Sequence, residues 1–161
     1  MSKKEIKTNV MRILDRAKLN YSSYFYEHEE GVAVDGVSVA KLLHQDPERV
    51  FKTLVTQGKS KNYFVFVIPV EKELDLKAAA SAVGEKSVEM IHVKDINKIT
   101  GYIRGGCSPV GMKKQYVTVF DSSAESKETI MVSGGKIGTQ VELAPEDLLK
   151  ITNGKYGEIT A

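Results

Sequence analysis

GYIRGGCSPVGMKK, running from Gly101 to Lys114, is the stretch that decides how this chain folds. It packs four glycines, a proline and the only cysteine ahead of two lysines, a composition that sustains neither a regular helix nor a strand. Glycine reaches positive φ and lets another group approach the backbone, while Pro109 fixes its own φ and biases Ser108 toward an extended conformation. The expected product is a rigid loop whose amides and carbonyls face a ligand; the plain alternative is a connector between two sheet elements. Two distant stretches weigh against the plain alternative. In FKTLV, Phe51 to Val55, a lysine and a hydroxyl stand at the head of an apolar run, and in MVSGGKIGTQVEL, Met131 to Leu143, a strand breaks at Ser133 into Gly134 and Gly135 and resumes after Gly138. One cationic strand head and two glycine loops are expected to line one cleft.

Outward from these loops, the periodicities give an α+β chain. Lys3 to Leu19 carries Ile6, Val10, Ile13, Leu14 and Ala17 at helical spacing, and so reads as an amphipathic helix. Tyr21 to His28 alternates weakly as a strand, with Tyr26 at a cleft edge or half-buried. Asp35 is placed to cap a helix from Gly36 to His44 that buries Val39, Leu42 and Leu43, and Asp46 and Pro47 open the turn after it. Phe51 to Thr56 and Tyr63 to Pro69 are strands joined through GKSKN, the second apolar on both faces and therefore central. Asp75 to Val83 is a helix stopped by Gly84, Val88 to Val93 a strand and Lys94 to Ile99 a short helix. Beyond the glycine loop come a strand at Tyr116 to Asp121, a helical turn capped by Ser122 or Ser123, strands at Thr129 to Ser133 and Thr139 to Leu143, and a helix from Ala144 to Ile151. The tail after Asn153 reads as a loosely held end. The expected architecture is a mixed, strongly curled, barrel-like β-sheet of six or more strands surrounded by helices.

With 161 residues, 42% hydrophobic and 27% charged, the chain fits one domain, 1–161, with a continuous core. No apolar run approaches the ~18 residues of a membrane span, and the first residues are too polar for a secretory signal. A lone cysteine excludes an internal disulfide and fits a reducing cytoplasm. A net charge of +2 is too small to coat a duplex, so a nucleic acid would be touched at one end or by one patch.

FKTL, GYIRGGCSPVGMKK and VSGGKIG, in this order and separation, closely resemble the YbaK family of aminoacyl-tRNA deacylases, related to the editing domain inserted in bacterial prolyl-tRNA synthetase. The likeness extends from the first helix to the helix near Leu148, with YEH at Tyr26 to His28 and LDLK at Leu74 to Lys77 in support. It implies the YbaK fold and trans-acting editing of mischarged tRNA, chiefly Cys-tRNA(Pro) and also Cys-tRNA(Cys), without metal or cofactor. It implies that Lys52 contacts the tRNA end and seats the aminoacyl group, and that Gly105 opens a loop whose backbone holds the ester carbonyl, with Gly106 and Ser108 in that loop and Pro109 rigidifying it. It implies that Tyr26, Thr53, Ser133 and the adjoining Gly134 line the aminoacyl pocket. Lys113, Lys114 and Lys136 are candidates for gripping the acceptor end, although each singly also has the look of a solvated surface charge. A prolyl-tRNA synthetase in a transient complex is the candidate protein partner. Two positions depart from the bacterial YbaK pattern: Asp35 stands where a phenylalanine is expected and Gln140 where an aspartate is expected.

The chemistry is coherent on its own terms. An aminoacyl ester is already activated, so backbone donors for the developing oxyanion and a positioned nucleophile suffice. The resemblance implies that a cysteinyl substrate attacks its own ester through its thiol, giving a cyclic thiolactone, for which held geometry supplies most of the acceleration; water would serve substrates without a thiol. Editing is needed because an apolar pocket separates ligands differing by one methylene by only ~1–3 kcal/mol. Cys107 has no His or Cys at a partner spacing and reads as a small loop residue rather than a nucleophile. His28, His44 and His92 show no metal-ligand spacing, and GGK at Gly134 to Lys136 lacks the remainder of a phosphate-binding Walker loop. The alternative function is a non-catalytic module of the same fold that recognises an aminoacyl, prolyl or RNA end.

Overall fold

The computed structural model describes residues 7–161. Helix α1 spans Asn9–Arg16, where the Thr8 hydroxyl accepts from the Met11 amide at 3.2 Å and so fixes the start. The helix is therefore shorter than its apolar spacing suggested; Lys3 to Ile6 lie outside the described residues. β1 is Ser22–Phe25 and α2 is Gly36–Leu42, with the Asp35 carboxylate accepting from the Ser38 amide (3.1 Å) and hydroxyl (2.7 Å). A 3-10 turn at Pro47–Arg49 leads into β2 (Phe51–Gly58) and β3 (Tyr63–Pro69), then α3 (Leu76–Ala82), β4 (Val88–Met90) and α4 (Ile96–Thr100). Past the glycine loop lie β5 (Val117–Asp121), β6 (Ile130–Ser133), β7 (Thr139–Leu143), α5 (Pro145–Thr152) and β8 (Lys155–Gly157).

The strands form two sheets, not one curled sheet. Five are ordered β4-β2-β3-β5-β8, with β3 parallel to β5 and β5 parallel to β8; three are ordered β1-β7-β6 and are wholly antiparallel. Neither closes on itself, so the barrel-like expectation is corrected while the mixed α+β class stands. The reason is local: β3 pairs along Phe51–Gln57 of β2 while β4 takes the other edge only at Thr56–Gly58, and at the opposite end of the strand the sheets are linked, among the described residues, by an isolated parallel bridge between Val50 and Met131. Beside that bridge, Glu142 of β7 accepts from Tyr24 of β1 (2.5 Å), Thr129 (2.5 Å) and Arg49 (2.6 Å), tying the turn before β2 to the smaller sheet.

β3 is central, as its double-sided apolarity predicts. Val65 and Val67 enter the main core, which lies between the sheets and takes in Val10, Met11 and Leu14 of α1, Val110 of the glycine loop, Phe51, Phe120, Val132 and Val141. Phe64, Phe66 and Ile68 face the other way, against Ala79 and Ala80 of α3, Val119 and Ile159. A third cluster of Ala40, Val50, Val70 and Met131 seats α2 over the junction of the sheets.

Three further expectations are corrected. Leu42 is 53% exposed, because α2 turns Val39 and Ala40 inward while Gly36 lies directly on Val70. The turn after β5 is capped by Asp121, whose carboxylate accepts from the Ser123 amide and hydroxyl, rather than by a serine. The tail is not loose. Asn153 adopts the left-handed conformation that ends α5, β8 then joins β5, and the fully buried Ile159 donates its amide to Asp121 and accepts at its carbonyl from the Asp75 amide (2.8 Å).

Candidate active site

A cavity of about 130 Å³ opens where the two sheets meet. The head of β2 supplies Lys52 and Thr53; Ser133 and Gln140, paired across the β6–β7 ladder, supply the opposite wall. Gly105 and Cys107 enter from the glycine loop, Tyr26 from just beyond β1, and Val34, Val39 and Val70 make the remainder largely apolar.

The two glycine loops form one construction. Gly105 has φ +86°, and a Cβ there would stand 2.6 Å from the Ala33 Cβ, so only glycine combines this backbone with this approach. At Gly106 a Cβ would lie 3.0 Å from the Ile137 amide and 3.1 Å from the Lys136 Cα, so the first loop rests directly on the backbone of the second. The second is braced from within: the Gly135 amide donates to the Ser133 hydroxyl (3.1 Å), the Gly134 amide to the Thr139 carbonyl (3.1 Å), and the Thr139 hydroxyl to the Lys136 carbonyl (2.7 Å). In the first, the Ser108 hydroxyl accepts from the Val110 amide at 3.2 Å, and the Gly106 amide is engaged by the Ile103 carbonyl at 2.9 Å. No hydrogen bond within the described residues engages the amides of Gly105 and Cys107.

Polar groups in the cavity are left open. Gln140 is only 6% exposed, yet its Oε1 has no hydrogen-bond partner among the described residues, and neither has the buried Oγ1 of Thr53. An unmade hydrogen bond on a buried polar group costs ~1–3 kcal/mol, so two in one small cavity point to a polar ligand. Lys52 makes no ion pair within the described residues. Burial pushes the Cys107 thiol up to about 11, with the Thr100 hydroxyl opposing in part, so near neutrality it is a thiol and not a nucleophilic thiolate. Burial likewise raises Tyr26 above the usual phenol range.

Residues 31–151 match the family model of the aminoacyl-tRNA editing domain. The chain belongs to the aminoacyl-tRNA editing domain family. EbsC of Enterococcus faecalis, which bears the name of a Cys-tRNA(Pro)/Cys-tRNA(Cys) deacylase, is 49% identical over 99% of this chain and 98% of its own. Among solved structures, a protein named as a trans-editing enzyme for prolyl tRNA synthetase superposes with a TM-score of 0.79 at 18% identity, covering 97% of this chain and 99% of that one. The protein APE2540 gives 0.85 at 21%, covering 96% and 100%. At those identities the two structures speak for the fold, which is that of the editing domain.

Within this editing domain, Tyr26, Lys52, Thr53, Gly105 and Ser133, singled out from sequence, come together around one cavity. Gly106, Ser108, Pro109 and Gly134 do not line it. Gly106 seats the first loop on the second, Gly134 lets the second close on Thr139, Ser108 is buried as an internal brace, and Pro109 faces a separate depression with Ile13 and Tyr116. The candidate lysines separate. Lys136 lines a depression next to the cavity, Lys114 shares the depression of Pro109, and Lys113 donates its ammonium to the Lys98 carbonyl at 3.2 Å. Asp35, one of the two departures, is committed to capping α2, whereas Gln140, the other, faces the cavity. Cys107 also lines it, and the valines of α2 and of the segment after β3 had no sequence signal beyond apolarity. No group of three His, Cys, Asp or Glu residues suited to a metal occurs among the described residues, and no helix there is long and apolar enough to cross a membrane.

Proposed function

We propose that this chain acts as one unit in trans, cleaving the aminoacyl ester of Cys-tRNA(Pro) and Cys-tRNA(Cys). The observation that carries the reading is the convergence of Lys52, the open amides of Gly105 and Cys107, and the unpartnered polar atoms of Thr53 and Gln140 on one small, largely apolar cavity. The name borne by EbsC, 49% identical along nearly the full length of both chains, supplies the substrates.

In this mechanism the ester carbonyl faces the Gly105 and Cys107 amides, which donate to the oxygen as charge develops on it. Lys52 holds the ribose-phosphate side of the ester. The cysteinyl side chain occupies the cavity, bounded by Val39 and Val70, with Gln140, Thr53 and the Ser133 hydroxyl as its polar partners. Its sulfur attacks the carbonyl carbon, an S–C bond forms, the C–O ester bond breaks, and the thiol proton passes to the leaving ribose oxygen. The products are a cyclic thiolactone and free tRNA. Two reacting groups fixed within one residue need little from the protein beyond orientation. Prolyl-tRNA synthetase, which releases mischarged tRNA, is the proposed transient partner, and the cytoplasm the proposed location.

The test is loss of label from Cys-tRNA(Pro), Cys-tRNA(Cys) and Ala-tRNA(Pro) with and without the protein. Discharge of both cysteinyl species faster than in buffer, with Ala-tRNA(Pro) much slower, is expected. Binding without discharge of any of the three would replace the enzyme with a recognition module.

A further inference from the structure

A second depression, about 470 Å³, lies beside the cavity and shares Tyr26 with it. It is lined by Phe25, Tyr26, His28, Lys136, Ile137 and neighbouring backbone, and the deacylation mechanism does not use it. The sizes divide the work. The cavity, at about 130 Å³, accepts an amino-acid side chain and its ester carbonyl, whereas the depression falls within the ~300–1,000 Å³ of small-molecule sites. Tyr26, common to both, offers a substrate with its ester in the first a direct way into the second.

The lining has the chemistry of a nucleoside seat. His28 is exposed, and its ring stands edge-on to Tyr26 with centroids 6.3 Å apart. Its Nδ1 lies 2.8 Å from the Glu29 carbonyl, which can only accept, so Nδ1 donates that hydrogen bond and fixes the orientation of the ring. Gly138, at φ +92°, keeps the ring in place by lacking a side chain: a Cβ there would meet the His28 Cδ2 at 2.6 Å. Phe25 and Ile137 add apolar surface, and Lys136 makes no ion pair among the described residues. Glu27 also borders the depression, which confines a phosphate to the Lys136 side.

We infer that this depression holds the terminal nucleoside of the tRNA acceptor, its base against the His28 imidazole, its ribose at Tyr26 and its phosphate toward Lys136. The inference rests on the proposal that the cavity takes an aminoacyl-tRNA ester. Stacking of one base on an aromatic ring is worth ~1–3 kcal/mol, a factor of roughly 5 to 150 in binding.

The experiment has two arms on the full chain. In the first, adenosine 5′-monophosphate and ribose 5-phosphate are titrated while the amide and imidazole resonances of His28, Ile137 and Gly138 are followed by NMR. Shifts with the nucleotide at concentrations where the base-free sugar phosphate gives none are expected; equal shifts with both, or none with either, overturn the base contact. In the second, steady-state discharge of Cys-tRNA(Pro) is measured for His28→Ala, His28→Phe and Lys136→Ala, each checked for an unchanged melting curve. His28→Ala should raise KM at least fivefold with kcat within about twofold, His28→Phe should recover most of the loss, and Lys136→Ala should raise KM and weaken its salt dependence. Unchanged KM in His28→Ala and Lys136→Ala, while wild type discharges the tRNA, sinks the nucleoside seat and leaves the deacylase standing. Nucleotide-specific shifts in a protein that discharges nothing would do the reverse.

Discussion

Lys52 and Cys107 border the same cavity but are in opposite electrostatic situations. The ammonium of Lys52 has no carboxylate partner within the described residues, so it is available to a substrate, while burial keeps the Cys107 thiol protonated to about 11. A hydrogen bond to a charged group is worth ~1.5–3 kcal/mol, so Lys52→Ala should lower kcat/KM for Cys-tRNA(Pro) by roughly 10- to 100-fold. Cys107→Ala should stay within about threefold, and the thiol should be alkylated slowly at pH 7.5, in a label-incorporation time course, with the rate climbing only as pH approaches 11. Equal losses in both variants would put Cys107 into the chemistry. Gln140 gives a different contrast: its Oε1 is buried and has no hydrogen-bond partner among the described residues, a cost of ~1–3 kcal/mol that a shape-matched apolar side chain removes. Gln140→Leu should therefore melt at the same or a higher temperature than wild type while discharging Cys-tRNA(Pro) at least tenfold more slowly. A fall in both would make Gln140 structural.

Among the elements, β8 and the residues after it shape the larger sheet although they contribute nothing to the cavity. β8 covers the free edge of β5, and Ile159 fills the layer between α3 and that sheet, packed with Phe64, Phe66 and Val119. Removing three carbons from a fully buried isoleucine costs ~2–5 kcal/mol. Ile159→Ala should lower the urea midpoint accordingly with the slope unchanged, and the folded fraction should keep wild-type kcat. An unchanged midpoint would return the tail to the loose end that its composition suggests. Asn153 at positive φ and Gly154 against Phe120 are what direct the chain back to β5.

For the whole molecule, the question is what holds two sheets in the relation that makes the cavity. One backbone bridge joins Val50 and Met131, and Glu142 adds a polar tie through Tyr24, Thr129 and Arg49. Burial alone would raise the Glu142 carboxyl, but the two hydroxyls and the guanidinium outweigh it and hold it below the ordinary carboxylate value. A depressed folded-state value means that this stabilisation is complete above the unfolded-state value and is lost as pH falls through the folded one. In urea titrations from pH 7 to pH 3, wild type should lose stability across this acid window, and Glu142→Gln should flatten that limb while lowering stability at pH 7. A parallel acid limb in the variant would assign the pH dependence to other carboxylates.

The sequence by itself determined the elements and the chemistry-bearing loops. Asp35, Asp75 and Pro145 mark helix starts that need only local hydrogen bonds and a fixed φ; the double-sided apolarity of Tyr63 to Pro69 made β3 central; and Gly105, Lys52 and Ser133 carried the signature of one family in three separate segments. Local interactions act within a few residues, and they leave their pattern where a reader can find it. Only the tertiary structure decided that the strands divide into sheets of three and five, that the last residues return as β8, and that Lys136 stands beside the cavity while Lys113 and Lys114 do not. Those outcomes depend on which strand edge is free to pair with a distant segment, and a competition of that kind is settled between residues as far apart in sequence as Ser22 and Glu142, where periodicity and capping have no reach.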